Sequence, residues 1–423
     1  MIDRQRRDFL VGGAAAGVLA AVPGARVARA QQGLGRGDQY DLVIKGGEVL
    51  DPAGNLRARR DVGIRYGRIA AVEAEIPDSR AAQSLDARGK LVVPGLIDLH
   101  AHVYPQGSAI GLPADELVPY TATTTYVSAG DAGANNFSAF KHFVVAQSRS
   151  RIFGFLHISS IGLAGFPVGE MLNLDYADVD LAAKTLAENQ DVLLGIKVRE
   201  SRLVVGQNGL EPLRRAIAAI ERSGTNGRVL CHIGDAPGEL PALMDLLRPG
   251  DILTHAFSGA GNNVVVDGKL LPAVLAAKRR GVVIDVGHGG GSFDYTIAEP
   301  AMAQGLTPDT ISSDIHAFSG NTPGMPYLPW VMSKFLGLGV PLEQVIAMAT
   351  INPARIIGRV DGLGTLAVGA PADIAVLELV EEKVRFVDTK GNAREGSRYL
   401  KPLHTVRAGR PFGRPYPSPF GYP

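Results

Sequence analysis

Between Leu91 and Ile315 the chain alternates short β-branched apolar runs with longer stretches of helical periodicity, which restricts the possible folds more than any other feature. The runs are 91–99, 123–129, 151–159, 193–198, 227–233, 251–256, 281–287 and 310–315, eight in all. Between them, 211–222 carries Leu213, Ile217 and Ile220 at helical spacing, and 181–189, 240–247 and 270–279 behave alike. Strand–helix alternation implies parallel strands. Eight such units predict an α/β fold, a (β/α)8 TIM barrel over residues 91–359. A doubly wound open sheet is the other architecture this pattern allows. No Gly-x-Gly-x-x-Gly follows the first run, which counts against a dinucleotide-binding version of it.

The flanks have a different texture. Residues 40–50 read as two strands about a Gly-Gly turn, and 61–72 alternates in the same way. Residues 364–378, 384–387 and 405–408 return to that pattern. A small β-sandwich domain built from both chain ends, 31–90 plus 360–423, is therefore expected, since two separate appendages would each leave an exposed edge.

Residues 1–30 read as a leader. Arg6-Arg7-Asp8-Phe9-Leu10 precedes an Ala/Gly/Val/Leu stretch from 11 to 22, and Ala28-Arg29-Ala30 offers a small-x-small cleavage site. The twin arginines resemble a twin-arginine export signal. The expected location is the periplasm or outside the cell, with the mature chain starting near Gln31. The apolar stretch is about half the ~20 residues a membrane span needs. No membrane association is expected after cleavage. The net charge of +1 argues against a nucleic-acid partner. With one cysteine, Cys231, neither an internal disulfide nor a cysteine zinc knuckle can form.

A barrel of this kind carries its chemistry at the carboxyl ends of its strands. His100 and His102 end the first run at i and i+2, a spacing that puts two imidazoles on one strand face. Lys197 stands at the end of the fourth run, His232 of the fifth, His255 of the sixth and Asp314 of the eighth. Lysine is almost never fully buried without a partner, so an apolar strand carrying Lys197 inward needs a reason. Residues of metal-ligand or base type thus gather at five strand ends.

With these residues in view, the chain resembles the amidohydrolase superfamily, in its dihydroorotase-like branch of binuclear metal hydrolases, and most of all the deacetylase-like members. The resemblance rests on Pro94-Gly-Leu-Ile-Asp-Leu-His-Ala-His102, Gly195-Ile-Lys-Val-Arg199, Cys231-His-Ile-Gly234, Thr254-His-Ala-Phe-Ser-Gly259, Ala349-Thr-Ile-Asn-Pro-Ala-Arg-Ile-Ile-Gly358 and Gly369-Ala-Pro-Ala-Asp373. It implies two divalent metal ions, zinc first and manganese as the other suitable ion. His100, His102 and Asp314 would hold the more buried ion and His232 and His255 the second, with a carboxylated Lys197 bridging both. It further implies attack by a metal-bridging hydroxide, with Asp314 as general base and then acid. The substrate expected is a small N-acyl amide or acyl ester, cleaved as by a deacetylase.

Other residues carry weaker expectations. His288, in a Gly-rich loop after the seventh run, is expected to contact substrate, and Arg199 and Tyr104 to hold a substrate carboxylate. Asp131 is expected to shape the site and His316 to orient a ligand. His157 suits core packing as well as function; His142 and His404 read as surface or structural positions, and Cys231 as a buried core residue facing away from the site. The loops 104–119 and 259–266 are expected to shape the pocket. A cyclic amidase of dihydroorotase or hydantoinase type is the main alternative. It is weakened because Tyr104 stands where dihydroorotases usually carry an arginine. A non-catalytic binding homologue is a more distant alternative, disfavoured because the ligand set is intact. Self-assembly into a homo-oligomer is compatible with all of these.

Overall fold

The computed structural model describes residues 39–414. The expected leader, 1–30, lies outside the described residues. Among the described residues no helix is long and apolar enough to cross a membrane.

The central element is a curled parallel sheet of seven strands. In spatial order these are Val283–Ile284, Ile252–Thr254, Arg228–Ile233, Leu193–Glu200, Arg151–His157, Thr123–Gly133 and Leu96–Ala101. Spatial order follows chain order, as expected when each strand returns through a covering helix. The eighth run does not form a strand. Residues 310–315 make single parallel bridges to the two sheet edges, Thr310 to Asp285 and Ile315 to Ala101. Two features interrupt a ladder here. Asp314 sits at φ +48°, and Thr310, Ser312 and Ser313 turn their hydroxyls to the buried carboxylates of Asp285 and Asp98.

The helices form as their sequences require. Asp178 accepts the Leu181 N–H at 2.9 Å and caps Val179–Glu188. Glu211–Ser223 buries Leu213, Ala216, Ala219 and Ile220 along one stripe and stops at Gly224, φ +65°. Inside the sheet, Ile97, Leu99, Val127, Phe153, Phe155, Leu194, Leu230 and Ile252 form an apolar plug, closed by Ala354 and Ile357 of the helix Ile351–Ile357. The polar groups at the other ends of the same strands therefore open on one side only.

Two irregularities aim the polar groups. Ile97 and Leu99 join the plug, yet His100 and His102, of the opposite parity, also face inward; a register shift between Asp98 and Ala101 re-aims the strand. Leu194 is an extra residue in the pairing of Leu193–Glu200 with its neighbour, which rotates Lys197 toward the site. Gly195 is required next to that bulge, because a Cβ there would lie 1.9 Å from the backbone carbonyl oxygen of Arg228. Gly195→Ala is expected to destabilise the protein by about 1–3 kcal/mol, seen as a lowered thermal midpoint. An unchanged midpoint would contradict this packing.

The run 91–99 is in fact two strands in two sheets. Leu91–Pro94 belongs to the flanking sheet, and Gly95 marks the crossing, its N–H donating to Asp373 O at 2.7 Å. The flanking sheet has the order Arg410–Pro411, Tyr399–Arg407, Ile374–Val380, Leu91–Pro94, Leu42–Asp51, Leu56–Arg65, Arg68–Glu73, with Ser84–Asp86 also paired to Leu42–Asp51. Both chain ends thus share one sheet, joined where Val92 faces Val376. Residues 384–387 depart from the expectation. Val384–Val387 pairs with Ala393–Gly396 as a separate ribbon, and Phe386 packs edge-to-face against Trp330, centroids 5.0 Å apart, in the helix Leu328–Gly337. Apolar contact with that helix replaces pairing with the flanking sheet.

Candidate metal centre

His100, His102 and Asp314 converge, each offering a ligand atom within 4.8 Å of the others, and all three are buried. The surrounding hydrogen bonds decide which ring nitrogen faces the site. His102 Nδ1 donates to Asp131 Oδ1 at 2.9 Å. His255 Nδ1 donates to the Gly287 carbonyl at 2.6 Å. Thr254 gives its hydroxyl proton to Asp285 at 2.8 Å, so its oxygen accepts from His100 Nδ1, also at 2.8 Å. Each imidazole therefore turns Nε2 inward, the arrangement by which a second partner orients a metal-binding histidine. The ring of His232 lies 4.2 Å from that of His255, which is 4.8 Å from that of His100. Lys197 Nζ is 3.2 Å from His100 Nε2.

These groups suit a cation. Asp314 Oδ1 lies 3.2 Å from His100 Nε2 and 3.0 Å from His102 Nε2. His255 Nε2 is buried with no hydrogen-bond partner, an expensive state unless something positive completes it. The carboxylates of the site favour positive charge. Burial opposes charging of His102, but the carboxylates of Asp131 and Asp314 outweigh it and push the ring up to about 9. Burial lowers the Lys197 ammonium to about 8 and His255 to about 4, and drives His100 and His232 well below the usual imidazole range. Burial likewise opposes ionisation of Asp314, yet His100 and His102 hold its carboxyl well below the ordinary range. His255 at φ +62° and Asp314 at φ +48° add left-handed backbone at two ligand-type residues, strain of the kind concentrated at functional sites.

A cavity of about 470 Å³ opens over these groups, lined by His102, Lys197, His232 and Asp314. Arg199 and His316 also face it, and the ring of His316 lies 6.0 Å from that of His102. The loop contributions differ from expectation. Ile110 comes from the expected loop 104–119, but 259–266 contributes nothing to the lining. Leu163 and Phe166, Gly290–Ser292, and Phe318 with Thr322 supply the walls. Gly290–Ser292 belongs to the Gly-rich loop singled out in the sequence, whereas the connections carrying Leu163, Phe166, Phe318 and Thr322 hold no motif that points to them.

Two expected substrate contacts are not brought to the cavity. Tyr104 is buried against Phe140, and its hydroxyl donates to Asn136 O at 3.3 Å. Its apolar ring is better accommodated under its own loop than in a wet pocket. His288 is buried outside the lining, with Nδ1 on Gly289 O at 2.8 Å and Nε2 against Lys334 Nζ at 2.7 Å. Asp131 lies within the strand Thr123–Gly133 and supports His102 as described. Cys231 is buried and His142 and His404 exposed, as read from the sequence.

The sequence reading missed Glu170. It is buried in a loop without motif and joins His157 at 3.1 Å to Arg199 at 3.2 Å. Burial works against its charge, but Arg199 and His157 hold the carboxyl down to about 2. The sign follows from a folded value below the unfolded one, about 4.3 for glutamate. Its stabilisation is complete above pH ~4.3 and disappears as the pH falls toward about 2. The difference in unfolding free energy between wild type and Glu170→Gln is therefore expected to be flat above pH ~5 and to shrink steadily below it. A difference independent of pH down to about 3 would contradict the ion pair.

Comparison with known proteins gives a consistent picture. The Amidohydrolase family profile matches residues 293–411. The chain is similar to a deacetylase of Agrobacterium fabrum, 35% identical over 344 residues, covering 80% of this chain and 83% of that protein. It is 30% identical to a deacetylase of Enterococcus faecalis over 375 residues, 88% of this chain and 98% of that one. Among solved structures it resembles an adenine deaminase (TM-score 0.80, 30% identity, 88% of this chain and 99% of that chain) and a dihydroorotase (TM-score 0.80, 31% identity, 88% and 98%).

Proposed function

The chain belongs to the amidohydrolase superfamily, and on that premise we propose that it is a metal-dependent hydrolase of the deacetylase type, cleaving a small N-acyl amide or acyl ester. The observation that carries this reading is the convergence of the His100 and His102 Nε2 atoms on the buried Asp314 carboxylate, with the ring of His255 4.8 Å from that of His100. In this reading residues 310–315 take the eighth position of the barrel by bridging the two edges of the seven-stranded sheet, and the flanking sheet folds over as the small β-sandwich.

His100, His102 and Asp314 would hold one divalent ion and His232 and His255 a second, with Lys197 between them as its carbamate. Zinc suits this mixture of imidazole and oxygen ligands, and manganese is the other candidate. Bound there, the ions supply a water of lowered pKa and polarise the acyl carbonyl. The protein's own groups do the rest. Asp131, Thr254 and Gly287 O hold three rings in the tautomer that leaves Nε2 free. Asp314, kept ionised, accepts the proton of the attacking water and delivers it to the departing nitrogen or oxygen. The apolar plug and the surrounding loops limit water to one entrance. Arg199, fixed by Glu170, faces the cavity with its charge and attracts an anionic group on the substrate.

The test is a panel of N-acyl and O-acyl amino and hydroxy acids, with metal content measured on the same preparation. Chelation is expected to abolish turnover and lower the thermal midpoint, and re-addition of zinc or manganese to restore both. Full activity after verified removal of metal would overturn the reading. A cyclic amidase remains the second reading, favoured by the dihydroorotase likeness. Tyr104, turned away from the cavity, offers no carboxylate clamp for such a ring. Ring-opening of dihydroorotate or a hydantoin at a rate above the acyl panel would select it. The Arg6-Arg7 leader supports export by the twin-arginine route, which a leader–reporter fusion tests.

A further inference from the structure

Lys334, on the helix Leu328–Gly337, is fully buried, and the acceptors around its ammonium are all neutral. They are His288 Nε2 at 2.7 Å, the Gly324 carbonyl at 2.5 Å and the Val387 carbonyl at 2.8 Å. Burying an ammonium on neutral partners is costly, and a methionine would fill the same space without that cost. Packing alone therefore does not account for a lysine. Burial pushes the ammonium well below the usual lysine range, with Asp388 partly offsetting this.

The three acceptors belong to three separate segments. His288 belongs to the Gly-rich loop, Gly324 to the segment after Asp314, and Val387 to the ribbon. The first two lead to the site. His288 donates from Nδ1 to Gly289 O at 2.8 Å, which leaves Nε2 to accept from Lys334. Its ring is stacked on Phe293 at 4.9 Å and 18°. The loop is tied to the ligand segment by His288 N to Ser312 O at 3.2 Å and Gly289 N to Ser313 O at 2.9 Å. Gly289 lies directly on the carboxylate, since a Cβ there would be 2.3 Å from Asp314 Oδ2. Beyond it, Gly290, Gly291 and Ser292 line the cavity, facing Thr322 of the second segment.

We propose that Lys334 is a positioning residue for the hydrolytic site. Through His288 it presses the Gly-rich loop against Asp314, and through Gly324 it sets the opposite wall at Thr322. It touches neither the cavity nor Asp314, so it acts only through these segments. The inference rests on the hydrolase reading above, insofar as it predicts an effect on turnover.

The test uses full-chain, metal-loaded Lys334→Met. Amide exchange over residues 287–292 and 319–325 is expected to accelerate by about tenfold or more. With metal content unchanged, kcat is expected to fall by about tenfold or more, exceeding any change in KM, because Asp314 is displaced. His288→Asn removes the same acceptor without altering the helix and is expected to reproduce both effects. His288→Gln returns an acceptor near the Nε2 position and is expected to recover the larger part of the loss. Exchange equal to wild type in both segments, or kcat within about twofold of wild type, overturns the proposal. If Lys334→Met does not fold, equal kcat and equal exchange in the two His288 variants overturn it instead. Wild type inactive on the acyl panel would defeat the hydrolase reading, and the exchange measurements would still decide the clamp.

Discussion

Asp314→Asn is expected to lower kcat by about 10³-fold while KM changes little. An amide cannot take the proton of an attacking water, and it cannot return one to the leaving atom. The wild-type carboxylate is prepared for both tasks. Despite burial, His100 at 3.2 Å and His102 at 3.0 Å keep it ionised well below its ordinary range. Its position is over-determined: Asp314 N donates to His100 O at 2.6 Å, and Gly289 closes over one oxygen. Asparagine fits this space, so with metal content unchanged the loss belongs to proton transfer and not to misfolding. Steady-state kinetics with metal analysis on the same sample check it. A variant within about tenfold of wild type would remove Asp314 from the role of base.

The second large effect is expected at Lys197. Lys197→Ala is expected to lose bound metal and to lower kcat/KM by on the order of 10³-fold. The side chain is 1% exposed and ends 3.2 Å from His100 Nε2, where an ammonium is poorly solvated. Burial lowers it to about 8, which favours the free amine, the form that reacts with carbon dioxide. In the proposed reading, conversion to a carbamate would replace a buried cation with an oxygen anion among imidazoles, a better match to a metal pair. Propionate added to Lys197→Ala is expected to restore part of the metal content and rate by supplying the missing carboxylate. Isotope-labelled carbon dioxide should give a carbamate signal in the wild type alone. Full metal content in Lys197→Ala would exclude the bridging role.

How far these groups were legible differs by residue. His100, His102, Lys197, His232, His255 and Asp314 stand at the ends of apolar runs, and parallel strands share one carboxyl-end layer, so local sequence brought them together. Glu170 and Phe166 sit in a long connection without periodicity, and Lys334 on a helix whose apolar surroundings disguise it. His288 and Tyr104 had suitable chemistry at suitable positions, yet their rings are turned into packing by Phe293 and Phe140. Sequence spacing places a Cα on an element but says little about a side chain on a loop.

Alternation of apolar runs and amphipathic stretches, and the polar residue closing each run, were enough to predict parallel strands and a ligand-bearing layer at one end. Both follow from short-range rules: strand periodicity, helix periodicity and the handedness of their connection. The folded chain alone revealed the bulges at 98–101 and at Leu194, the bridging form of 310–315, and the division of 91–99 between two sheets. It also selected which ring nitrogen faces inward. These depend on contacts between residues far apart in the chain, His100 with Thr254 or Lys334 with His288, whose energies no local pattern records.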